Sequence, residues 1–181
     1  MENANPADIR SLEGMHRELG LLLAVLQAGT MDWRKELGEV SDESVVWQPF
    51  AGGHSIGLCV LHLADAESYW IETVAAGRER DEQEIALLLS RETQQYSVKW
   101  PDPPRLPLPW FYEQQDKIRD RTIETVRSIG DPDSVGRREK DGETYTFTLR
   151  WILQHLIAHE SHHGGQAVLL KLMHDKRAES G

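Results

Sequence analysis

The chain is 181 residues long and carries a formal net charge of −10. Its acidic residues are spread along the chain, so the basic footprint of a nucleic-acid-binding protein is missing, and anionic membranes and polyanionic substrates are disfavoured. A chain of this length buries a core without disulfides or structural metal, which fits a single domain over 1–181 and means that a bound metal would serve chemistry.

The single cysteine, Cys59, cannot form an internal disulfide, which fits a reducing compartment. Its apolar surroundings, IGLCVLHL, predict a buried, inert thiol. The rival is a nucleophilic Cys59 paired with His62. No run of about 18 apolar residues occurs, so no membrane span is expected. The N-terminal MENANPADIR is polar and lacks a signal-peptide pattern, and a cytoplasmic location is the expectation.

In chain order, 8–28 has helical spacing, with Leu12, Met15, Leu19, Leu22, Leu23 and Leu26 on one stripe and Gly29 as its stop. The Pro and paired Gly of SDESVVWQPFAGGHS mark a connector with room for a short helical turn. A second helix is predicted over 54–76, capped by Ser55 or preceded by His54 and closed by Gly77. Residues 78–109 form a long connection, with a short amphipathic piece near 83–90 and a run from Pro101 to Pro109 that is predicted non-helical. Its aromatics, Tyr96, Trp100 and Trp110, point to a packed flap. A third helix is predicted over 110–129. Asp141-Gly142 then signals a small hairpin before a last helix over 148–174 opened by Thr148. Four long helices and one hairpin predict an all-α four-helix bundle.

The last helix contains HLIAHESHHGGQ, which holds four of the chain's eight histidines. His159 and His163 are four apart, so a helix places both imidazoles on one face, at a spacing that suits a single metal ion. Leu149, Ile152, Leu156, Ala167 and Leu170 mark the apolar face. His163 falls near its centre and His159 within about 50° of it, while His155 and His162 lie further round. The residues alone leave a second reading open, a histidine pair hydrogen-bonded to polar groups of the core. His62, on the second helix, is the candidate for a third ligand, and Glu67 for a carboxylate that orients a ligand histidine or sits in a salt bridge. Gln166, one turn beyond His163, is placed to hold a bound water or substrate or to bridge helices.

WQPFAGGHSIGLCVLHLADAESYW followed by LIAHESHHGGQAVLL resembles the DinB-like (DinB/YfiT-like) family of damage-inducible bacterial proteins in element order and in its His-x-x-x-His-x-Gly-Gln segment. The resemblance implies a four-helix bundle holding a divalent metal, zinc first and nickel, manganese or iron after it, on His62, His159 and His163. It also implies thiol S-transfer with a low-molecular-weight bacterial thiol acting on a small-molecule substrate. Members of the family often carry Arg directly after the second last-helix ligand, where this chain has Gly164. Three neutral imidazoles would equally suit a hydrolase, a non-enzymatic metal-binding stress-response protein is a further alternative, and a homodimer is compatible with the sequence. A di-iron site on Glu13/His16 and Glu160/His163 is a rival that the wheel disfavours, because Glu13 lies about 130° from its helix's apolar stripe.

Overall fold

A computed structural model describes residues 8–93 and 99–180, and their apolar spacing is realised as four long helices. The first, α1 (Arg17–Leu37), buries Leu19, Leu23, Leu26, Thr30, Trp33 and Leu37 at three- and four-residue intervals. It starts later and runs further than the sequence predicts. His16 opens it by accepting from the Glu18 amide through Nδ1 at 3.3 Å, and Gly38, at φ +61°, closes it. Gly29 does not stop the helix, because Trp33 and Leu37 prolong the buried stripe beyond it. Leu12 and Met15 still pack on the core, from the non-helical lead-in.

The connector contains the short helix α2 (Asp42–Val46), capped by Ser41. Ser55 then caps α3 (Ile56–Ser68) by accepting from the Leu58 amide at 3.2 Å. Every residue from Ile56 to Ala64 is buried, so α3 is the central helix of the assembly. It continues as a π-helical segment, Tyr69–Ala75, which the apolar pattern did not reveal and which keeps Trp70, Ile71 and Val74 all buried. A short α4 (Glu82–Leu87) follows, capped by Asp81.

Helix α5 (Leu108–Ile129) begins inside the proline-rich run. Pro109 lies in its first turn, where an N–H has no intrahelical partner and its loss costs nothing, so the run is non-helical only as far as Pro107. Strands β1 (Val135–Lys140) and β2 (Glu143–Thr148) pair antiparallel, with Gly136 opposite Phe147 and Arg138 opposite Tyr145. Asp141 and Gly142 have φ of +54° and +81°, the left-handed pair that a two-residue hairpin turn requires. A Cβ at Gly136 would lie 2.4 Å from the Val74 carbonyl oxygen, so this glycine lets the hairpin dock on the π-helical segment. Helix α6 (Leu149–Ser180) opens with Thr148 accepting from the Trp151 amide at 3.3 Å. It packs on α1 and α3, and α3 packs on α5, which makes the bundle. Among the described residues no helix is long and apolar enough to cross a membrane.

A polar network crosses the middle of this bundle. Glu160 on α6 accepts from Thr30 Oγ1 (2.8 Å) and Trp33 Nε1 (2.7 Å) on α1 and from Gln115 Nε2 (3.0 Å) on α5. Arg119 on α5 donates twice to Glu67 on α3, at 2.7 and 2.8 Å, and lies 3.4 Å from Glu160. All four long helices contribute, and the three charged side chains are buried. On each helix the network residue falls between two apolar clusters: Thr30 between Leu26 and Trp33, Glu67 between Ala64 and Trp70, Arg119 between Ile118 and Val126, Glu160 between Leu156 and Ala167. Glu67 is therefore the salt-bridged carboxylate of the two roles open to it, and it orients no histidine. Replacing Arg119 with Leu strands two buried carboxylates and should destabilise the protein by about 3–5 kcal/mol in urea unfolding. A loss below about 1 kcal/mol, the range of exposed pairs, would contradict this account.

Candidate metal centre

One face of α6 carries His159 and His163 a turn apart, with ring centroids 4.4 Å from each other. His62 projects from α3 against both, at centroid distances of 4.9 Å to His159 and 4.7 Å to His163. One ring nitrogen from each of the three lies within 4.8 Å of the others, and among the described residues this is the only such group of His, Cys, Asp or Glu. Both ring nitrogens of His62 are buried without a hydrogen-bond partner. Buried polar atoms are costly when unpaired, and a divalent cation held with the two further imidazoles would satisfy one of these nitrogens. No polar group of the core hydrogen-bonds His62, whereas His163 has Gln166 as a partner.

The electrostatics agree with ligand chemistry. Burial, reinforced by the neighbouring histidines, pushes the imidazole of His62 down to about 3 and that of His159 down to about 2. Burial pushes His163 down to about 4. All three are neutral at pH 7, the form that binds metal. His163 Nδ1 lies 2.7 Å from Gln166 Oε1; the carbonyl partner assigns the proton to Nδ1 and leaves Nε2 free as a ligand atom. Gln166 thus orients His163, and its amide nitrogen lies 3.2 Å from His162 Nε2.

The three histidines line a cleft of about 410 Å³. His155 and His162 also line it but stay outside the group of three. His155 stacks on Trp151 at 5.1 Å and 5° and packs against Trp70 at 4.8 Å. The sequence reading missed His54 as a cleft residue. It stacks on Trp100 at 3.7 Å and 22°, and the Trp100 amide donates to the Gly52 carbonyl at 2.8 Å, which ties the proline-rich segment to the cleft. The available signal was GGH before the α3 cap together with a tryptophan at the edge of a proline run. Of the other flap aromatics, Trp110 packs on Phe111 and Tyr96 falls outside the described residues. Trp47 packs on His174, away from the cleft. Clefts of about 540 and 450 Å³ flank Arg121, but Arg121 is paired there with Glu72 and Glu84 and no imidazole lines them.

Both rival chemistries fail on geometry. Cys59 is fully buried, and burial pushes its thiol up to about 12, so it supplies no thiolate at neutral pH. Glu13 is exposed and Glu160 is committed to Thr30, Trp33 and Gln115, so the two Glu-x-x-His pairs do not assemble. The structure also accounts for Gly164. A Cβ there would lie 2.5 Å from the Trp33 ring, and Trp33 is held in place by its bond to Glu160, so this chain has no room for an arginine at that position.

Fold and site together define a helical bundle with three histidines, on two helices, that could hold a metal. The model of the DinB superfamily matches residues 26–167, and the chain belongs to that superfamily. No curated protein matches the chain significantly.

Unfolded imidazoles titrate near 6.5, whereas these fold with values of about 3, 2 and 4. Between those limits the unfolded state binds more protons, so metal-free protein should lose stability as pH falls below about 6.5. Urea midpoints from pH 8 to 5 check this, and a flat profile would contradict neutral buried histidines. Gln166→Leu removes the partner of His163 Nδ1 and should weaken metal binding about 10–100-fold in a chelator competition.

Proposed function

We propose that the protein is a divalent-metal-dependent enzyme of the thiol S-transfer type, with His62, His159 and His163 as the ligands and zinc as the metal. Its substrates are a low-molecular-weight bacterial thiol and a hydrophobic electrophile. The observation that carries this reading is the convergence of one ring nitrogen from each of three buried or half-buried imidazoles, with no protein group hydrogen-bonded to His62. A divalent metal bound there would lower the pKa of a coordinated thiol or water into the neutral range.

The chain's own residues supply the rest. Three neutral ligands contribute no negative charge to offset that of the cation. Gln166 holds His163 in the tautomer that presents Nε2. The stacked pair of His54 and Trp100 lines one side of the cleft. His155, backed by Trp70 and Trp151, forms a flat wall against which an apolar electrophile can lie.

Metal analysis of untagged protein should find one ion per chain. His62→Ala, His159→Ala and His163→Ala should each remove tight binding while helical circular dichroism is retained, because the core is large enough to absorb the change. His155→Ala should leave the stoichiometry at one, and loss of metal from that variant alone would refute the assignment. In a screen of thiols against a chromogenic aryl halide, thiol consumption should require both the metal and His62. An active, metal-free His62→Ala protein would sink the proposal, and turnover of an ester without thiol would move it to hydrolysis.

A further inference from the structure

Half-buried and buried arginines in this protein pair with carboxylates, with one exception. Arg34 pairs with Asp116, Arg80 with Asp65, Arg119 with Glu67, Arg121 with Glu84 and Arg150 with Glu18. Arg138, on β1, has no carboxylate or hydrogen-bond partner among the described residues, although the chain has 30 acidic side chains. Its guanidinium instead lies 5.5 Å from the ring centroid of Trp70 and 5.6 Å from that of Tyr69. A partly desolvated guanidinium gains strongly from a carboxylate, whose two oxygens match its fork.

Beside it stands an aromatic ledge. Phe147 lies 5.1 Å from Trp70 and 4.6 Å from Trp151, and Trp70 lies 5.6 Å from Trp151. Trp151 is 40% exposed, a large apolar surface left open on the first turn of α6. The ledge leads straight to the candidate metal centre, because Trp151 is stacked on His155 and the His155 ring is 6.0 Å from that of His159. The charge of Arg138 is felt at this wall: after burial, it is what holds the His155 imidazole below its ordinary value.

We infer that Arg138, with the ledge of Trp70, Phe147 and Trp151, is a subsite for an aromatic carboxylate whose ring packs on Trp151 and whose anion engages the guanidinium. One unpaired cation calls for one negative charge, and the flat apolar ledge calls for an arene. This deepens the proposed function, since it rests on the cleft being an active site and gives the electrophile an anionic arm, with Trp70 and His155 between the guanidinium and His159.

The test is binding, read by tryptophan fluorescence and calorimetry, of 2-naphthoate and its neutral isostere 2-naphthamide to metal-loaded and to chelator-treated protein. Naphthoate should bind about tenfold more tightly than naphthamide, a difference of about 1.4 kcal/mol. Arg138→Gln should erase that preference, and Trp151→Ala should weaken both ligands by a similar factor. The preference should survive chelation, which separates this subsite from the metal: absence of thiol transfer would leave the binding result standing. Three outcomes overturn the inference: neither ligand binds, Arg138→Gln keeps the preference, or chelation abolishes it because the carboxylate was on the metal. If Arg138→Gln unfolds, Arg138→Lys keeps the charge and loses the fork; an undiminished preference in that variant overturns the inference equally.

Discussion

Arg119, set between Glu67 and Glu160, governs how the four long helices are turned about their own axes. Charges this deeply buried are tolerated only when paired and hydrogen-bonded, so each member must face the bundle axis. Hydrophobic packing alone would allow small rotations and slides, because apolar contacts are not directional. The network does not. Glu160 has to reach Trp33 and Thr30 on α1 and Gln115 on α5 at once, which leaves α6 one rotation.

That rotation has a chemical consequence. His159 and His163 flank Glu160 in the chain, and with Glu160 turned to α1 and α5 the two histidines are turned toward α3 and meet His62. A core of salt bridges thus sits next to a cluster of neutral imidazoles on the same helix. The two have opposite electrostatic characters for one reason. Arg119 and its carboxylates can pair with each other, whereas the three histidines have no carboxylate among them, and burial, reinforced by neighbouring histidines, removes their protons. Trp33 joins the two regions, since its indole bonds to Glu160 and its ring packs on Gly164, directly after His163.

Much of this is legible in the sequence. All four long helices are legible there, Asp141-Gly142 marks the hairpin, and Ser55 and Thr148 mark caps. The errors were at boundaries. Gly29 resembles a stop, but a single glycine costs a helix about 1 kcal/mol, which the burial of Trp33 and Leu37 outweighs. A proline run predicts no helix at Pro109, although the first turn tolerates it. The π-helical segment had no signal, since one wider turn hardly alters the apolar pattern.

For the site, the four-residue spacing of His159 and His163 determined by itself that the two share a helical face, because covalent geometry and helical rise admit nothing else once the helix forms. Spacing could not say whether that face meets His62, since residues nearly a hundred positions apart are related only by how two helices cross. Nor could it choose between the two roles open to Glu67, find the part taken by His54, or show that Trp33 excludes a side chain at Gly164. Each of these depends on what a neighbouring helix or loop presents at a few ångströms. The tertiary structure decided them through the pairing of buried charges, which selects one mutual rotation of the helices from those that the apolar stripes allow.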